Sequence, residues 1–189
     1  MVLTGMSGSA LALHAEEVQA EETASVTADI YPKPQNETYL SDEGMNLSGE
    51  VNIVVHGDQE EATIPKLQEM LADNGYTYVQ GDYDASKSNI IISSSREHCD
   101  ECMKTESEAL DHTEGYVLSS SDDENVNGDV TIVGSDADGA YYGIMTLRQM
   151  LEQKSSGGKI AEVTIEDYPE IEFRGYIEGF YGYPWTHEE

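Results

Sequence analysis

The chain has 189 residues, of which 38 are acidic and 9 basic, giving a formal net charge of -29. Affinity for polyphosphate and for anionic lipid comes from Lys and Arg, so this balance excludes nucleic acid and an anionic membrane surface as partners. The length suffices for one full domain and a piece of another, and the apolar fraction for a packed core. The aromatic residues are lopsided, with 12 Tyr against 2 Phe and 1 Trp. Tyr stacks on sugar rings while offering a polar edge, and it is also common on strands.

Residues 1–15, MVLTGMSGSALALHA, are small and apolar and resemble the hydrophobic and cleavage regions of a secretory signal peptide. A basic n-region is missing, because the first cation is Lys33. Residues 16–29 are rich in Glu, Ala and Thr without apolar periodicity, which predicts an acidic disordered linker. The reading is therefore a signal-like segment plus linker over 1–28, an α/β domain over 29–168, and a third segment over 169–189. The product is expected to be secreted or extracellular, with attachment to a cell surface compatible. No apolar run reaches the length of a membrane span.

Within the domain, order is expected from about Tyr31. Val51–Val55 is a β-branched run and predicts a strand. A helix follows, with Thr63 as its cap, Pro65 in the first turn, Ile64, Leu67, Met70 and Leu71 on its apolar side, and Gly75 as its stop. Asn89–Ser93 is a short continuous apolar run suited to a buried strand. Gly115–Ser119 and Asp129–Val133 predict two more strands around a Ser/Asp/Asn/Gly turn, which holds Asp122 and Asp123 as solvated surface. A second helix starts at Ser135 or Asp136, buries Ala140, Tyr141, Ile144, Leu147 and Leu151, and stops at Gly157-Gly158. Ile160–Ile165 returns as a strand. Such alternation predicts a two-layer mixed sheet with helices on one face.

Cys99 and Cys102, the two cysteines, form a single C-x-x-C. Without a second pair or a His at finger spacing this is half a zinc site, so a local disulfide or two free thiols is expected and no metal is assigned. Glu97, Asp100 and Glu101 would raise a thiol pKa, which argues against a reactive thiolate. No cofactor is expected. Tyr116, Tyr141 and Tyr142 are candidates for a sugar platform, although Tyr141 falls on the apolar helix face.

The last segment, which runs to Glu189, carries the most chemistry. Ile171, Phe173 and Ile177 alternate as in a strand, then run into Gly179-Phe180-Tyr181-Gly182 and Tyr183-Pro184-Trp185. Glycines around aromatics at a strand end let backbone approach a ligand. Phe173-Arg174-Gly175-Tyr176-Ile177-Glu178-Gly179-Phe180-Tyr181-Gly182-Tyr183-Pro184-Trp185 resembles the opening strand of the (β/α)8 barrel of glycoside hydrolase family 84. Glu114–Leu118, Val130–Gly134 and Asp138–Leu151 are similar to the α/β domain that precedes the barrel in families 84 and 20.

The resemblance implies an N-terminal domain followed by the truncated start of the barrel, in a retaining β-N-acetylglucosaminidase acting on β-linked N-acetylglucosamine of glycans or glycoproteins. Its mechanism is substrate-assisted: the 2-acetamido oxygen attacks the anomeric carbon, one Asp of an adjacent pair orients the acetamide, and the other is general acid and then base. That pair belongs to a later barrel strand and is expected beyond Glu189, so no catalytic residue is assigned within the sequence. The chain alone is expected to be inactive and to need the remainder of the barrel as its partner. Substrate-binding positions carried over are Gly179, Phe180 and Tyr181. Gly179 acts through its carbonyl and Tyr181 against the sugar, while Phe180 and Trp185 support the loop by packing. Arg174 and Glu178 are expected to form a charge pair. The rival reading is a non-catalytic module that binds carbohydrate or supports the barrel.

Overall fold

The computed structural model describes residues 25–47, 49–100, 102–122, 127–155, 157–171 and 173–175. Seven strands form one sheet: β1 (Asn36–Met45), β2 (Glu50–His56), β3 (Thr77–Gln80), β4 (Ser88–Ser93), β5 (Tyr116–Ser121), β6 (Asp129–Gly134) and β7 (Ile160–Asp167), in the spatial order β1-β7-β5-β6-β4-β2-β3. Strands β3, β2, β4 and β6 run parallel; β5 is antiparallel to both β6 and β7, and β1 is antiparallel to β7. The sheet is thus mixed, as the alternating pattern predicts.

Helix α1 (Thr63–Asp73) links β2 to β3, and α2 (Ala137–Glu152) links β6 to β7. Both share one core cluster with a single face of the sheet: Leu67, Met70 and Leu71 from α1, Ile144, Leu147 and Leu151 from α2, against Ile53, Ile90, Ile132, Leu118 and Val163. Alternation along each strand sends Val54, Ile91, Val117 and Val133 to the opposite face, where they are also buried. Loop 81–87 crosses it, held where Asn52 Nδ2 donates to Asp82 O (2.7 Å) and Asn89 Oδ1 (2.9 Å).

Several local expectations change. Packing begins ahead of residue 29: Val26 N donates to Asp42 O at 2.9 Å, and Ala28 is buried. Thr63 does not cap α1, because its side chain turns into the core and the cap position falls to Ala62 in helical geometry. Asp136 does cap α2, accepting from Gly139 N at 2.8 Å. That helix ends at Gln153, ahead of Gly157, and Gly158 (φ 80) instead serves the turn closed by its N–H on Ser155 O. Strands β1 and β3, at the two sheet edges, have no counterpart among the expected elements.

Candidate functional site

A groove of about 560 Å³ lies where the chain leaves the domain. Its floor is the start of β5 and the end of β7, where Tyr116 pairs with Asp167. One wall is the outer flank of α2, with Tyr142, Met145 and Gln149; the other is the entry segment, with Ile30, Pro32, Lys33 and Gln35, and Tyr168, Pro169, Glu170, Ile171 and Arg174 complete the lining.

Tyr116 belongs to the floor as core, not as platform. It is 3% exposed, and its hydroxyl shares a 2.6 Å hydrogen bond with Thr146 Oγ1. Burial pushes that hydroxyl well above the usual tyrosine range, so it stays protonated. Tyr141 is half-buried, packs edge-on to Tyr142, and is not the core residue expected. Tyr142 is exposed in the groove. Tyr168 stacks on His112 with ring centroids 3.8 Å apart. Asp167 is half-buried; desolvation raises its carboxyl, opposed by N–H donors of Gln35 and Tyr168.

Arg174 defines the open end. Its guanidinium pairs with the Glu114 carboxylate and donates to Ile171 O at 2.8 Å, and Tyr142 lines the same groove. These contacts, Glu114 foremost, raise the arginine further above its ordinary value. Among the described residues the carboxylate partner is Glu114; the expected partner, Glu178, lies outside them. Gly179, Phe180 and Tyr181 also lie outside them, as does most of 169–189. Glu189, beyond which the catalytic Asp pair is expected, is also among those outside.

Glu114 escaped sequence reasoning. It is the one non-glycine residue with positive φ among those described, at 62°. Its N–H donates to Asp136 Oδ2 at 2.9 Å, while the other oxygen of Asp136 caps α2. Next to it, Gly115 N donates to Ser135 Oγ (3.1 Å), and Gly115 O accepts from Ser135 N (2.8 Å).

Cys99 and Cys102 are joined as a disulfide in the long β4–β5 connection, with Cys102 fully buried. Of the two states expected, the bonded one is found, and neither sulfur is a thiolate ligand. Asp122 is exposed, as its turn chemistry requires, and Asp123 lies outside the described residues. Among the described residues no group of three metal-binding side chains forms, and no helix is long and apolar enough to cross a membrane.

The family model described as glycosyl hydrolase family 20, domain 2, matches residues 27–168, which end one residue after β7. Among solved structures, CpGH84D is similar over 85% of this chain with 27% identity and a TM-score of 0.72, the match covering 27% of that protein. CpGH84B is similar over 85% of this chain with 30% identity and a TM-score of 0.64, covering 26% of its own length. A β-N-acetylhexosaminidase from Bacteroides fragilis NCTC 9343, at 17% identity and a TM-score of 0.52 over 76% of this chain, shares the fold and 25% of its length is covered. The chain thus spans about a quarter of the length of these structures.

Proposed function

The chain belongs to the family of glycosyl hydrolase family 20, domain 2, and from that membership we propose that it is the N-terminal part of a secreted retaining β-N-acetylglucosaminidase. Its α/β domain is of the type that families 84 and 20 share. In this reading the domain carries no chemistry itself. It fixes the start of a catalytic barrel in which the 2-acetamido group of the substrate attacks the anomeric carbon, with an Asp pair on a later barrel strand orienting it and transferring the proton. Gly179, Phe180 and Tyr181 form the sugar-facing loop at the end of the first barrel strand.

The observation that carries the reading is the junction. Strand β7 ends at Asp167, and Arg174, which opens the family-84 pattern, is already fastened to Glu114 of the domain. Beside it, Ile171 is 66% exposed and Phe173 86% exposed, apolar groups that a following layer of barrel would cover. The Cys99–Cys102 disulfide is compatible with export to an oxidising compartment.

The test is hydrolysis of an aryl β-N-acetylglucosaminide by the polypeptide extended through a complete barrel, with this 189-residue chain in parallel. Turnover with retained anomeric configuration is expected for the extended protein and none for the chain alone. An inactive extended protein refutes the proposal, and saturable binding of N-acetylglucosamine oligomers by the chain alone would replace it with a carbohydrate-binding module.

A further inference from the structure

The connection from β4 to β5 is fastened at both ends and joined in the middle by sulfur. At the near end Ser95 Oγ accepts Glu97 N at 3.2 Å. The 3₁₀ turn Arg96–His98 sits against the loop after β2, where a Cβ on Gly57 would meet His98 Nδ1 at 2.1 Å. At the far end Ser107 Oγ accepts Ala109 N (3.1 Å), Ala109 is buried, and His112 stacks on Tyr168. Between them lies the Cys99–Cys102 disulfide, with two hydrogen bonds through the same residues: Cys102 N to Cys99 Sγ (3.0 Å) and Thr105 N to Cys102 O (3.1 Å). These contacts shape the 3₁₀ turn Cys102–Lys104.

The two cysteines are not equivalent. Cys102 is fully buried, whereas Cys99 is partly exposed and its neighbours Arg96, Glu97, His98 and Asp100 are exposed. Thiol–disulfide exchange starts when a thiolate reaches one sulfur of the pair, and access decides which one. Here the accessible residue is Cys99. The Cys102 N–H directed at Cys99 Sγ stabilises negative charge on that sulfur when it departs as a thiolate. The acidic neighbours disfavour a standing thiolate, yet the oxidised pair needs none, because in it the sulfur is the electrophile. As a staple the bond is weak, since it spans a sequence separation of only 3.

We propose that Cys99–Cys102 is an exchangeable disulfide that takes a small dithiol as its substrate, reacts at Cys99, and on reduction loosens the Cys102–Lys104 turn while the sheet stays folded. One thiolate of the dithiol bonds to Cys99 Sγ, the Cys99–Cys102 bond breaks, and Cys102 Sγ leaves with the electron pair and takes a proton. The second thiolate of the dithiol then attacks the dithiol's own first sulfur. That closes a cyclic disulfide and releases Cys99 Sγ as a thiolate, which is protonated in turn. The protein gains two electrons and two protons, and the dithiol is oxidised by the same amount. Reoxidation follows the same path in reverse. The glycosidase reading plays no part in this inference.

The test treats the 189-residue chain with dithiothreitol in the absence of denaturant, removes the reductant without air, and labels briefly with iodoacetamide. Peptide mass spectrometry should find Cys99 alkylated about tenfold faster than Cys102, with the circular dichroism spectrum unchanged. Tryptic cleavage after the exposed Lys104 should rise by about tenfold on reduction, because cleavage tracks the open population. Single variants give a second readout with glutathione disulfide as the probe: Cys102→Ser should acquire a glutathione at Cys99, and Cys99→Ser should stay unmodified. A disulfide that resists dithiothreitol until the chain is unfolded in urea, equal labelling of the two cysteines, or loss of the folded spectrum on reduction overturns the proposal.

Discussion

Replacing Gly139 by Ala tests the packing logic at the start of α2, because two principles predict opposite signs. Helix propensity favours Ala over Gly by about 1 kcal/mol. Against it, a Cβ at 139 would stand 2.1 Å from Gly115 O and 3.0 Å from its carbonyl carbon, both backbone atoms that no rotamer change can move. Relief requires the first turn of α2 and the 114–115 turn to separate by roughly an ångström, judged against an ordinary carbon–oxygen contact of about 3.4 Å. That separation breaks Ser135 N to Gly115 O (2.8 Å), Gly115 N to Ser135 Oγ (3.1 Å) and Glu114 N to Asp136 Oδ2 (2.9 Å). At about 1 kcal/mol each, the loss exceeds the propensity gain, and the net is roughly 2 kcal/mol of destabilisation. For a domain of this size the melting temperature should fall by about 4–8 °C. Gly143→Ala in the same helix supplies the contrast, since its Cβ meets Ile132 Cγ2 at 2.5 Å and the Tyr116 ring at 3.2 Å, side-chain atoms that can shift. Thermal and urea unfolding of both variants decides the matter. A Gly139→Ala protein as stable as the parent, or more stable than Gly143→Ala, refutes the reasoning.

The disulfide closes a very short loop, so chain-entropy arguments assign it about 2 kcal/mol, near the low end for such bonds. Cys99→Ser with Cys102→Ser should lower the melting temperature by roughly 4–8 °C without unfolding the domain, and a protein unfolded at room temperature would show that the β4–β5 connection depends on it far more. At Asp167, burial raises the folded-state pKa, so the folded protein binds its proton more tightly than the unfolded chain does. Ionisation therefore removes stability as pH rises through that raised value. Asp167→Asn should be more stable than the parent at neutral pH, with the advantage vanishing below about pH 4. Melting curves across that range check the sign, and a less stable variant at pH 7 would mean that the Gln35 and Tyr168 N–H contacts outweigh desolvation.

The central elements were legible because their burial leaves a pattern. Strands β2, β4, β5, β6 and β7 read as β-branched or apolar runs, and the apolar side of α2 reads at helical spacing. The edge strands were not. In β1, Asn36–Met45, only the last two residues are buried, and all four residues of β3 are exposed. Such strands exist because a neighbour offers a ladder of N–H and C=O groups, and no apolar pattern announces it. The same limit explains Thr63, whose side chain was wanted by the core more than by the cap, and the early end of α2. There Gln153 reaches Asp29, donating to its O and accepting from its N, a contact 124 residues apart that local spacing does not encode.

The three stretches that resemble families 84 and 20 within the domain meet at one place. Glu114–Leu118 contributes Gly115, Val130–Gly134 contributes Gly134, and Asp138–Leu151 contributes Gly139. A Cβ on Gly139 would strike Gly115 O, and one on Gly134 would approach Asp136 O at 2.3 Å and Ala140 N at 2.4 Å. The glycines of these stretches therefore record a steric requirement, the close crossing of β5, β6 and the first turn of α2. This separates two kinds of signal in the sequence. The glycines specify the fold and would be needed whatever the domain served. Glu114 sits in the same crossing, yet nothing in the packing demands a carboxylate there, and its side chain leads out of the domain to Arg174. The likeness of the domain motifs is thus a likeness of packing, and it accords with the family-20 domain model that fits residues 27–168.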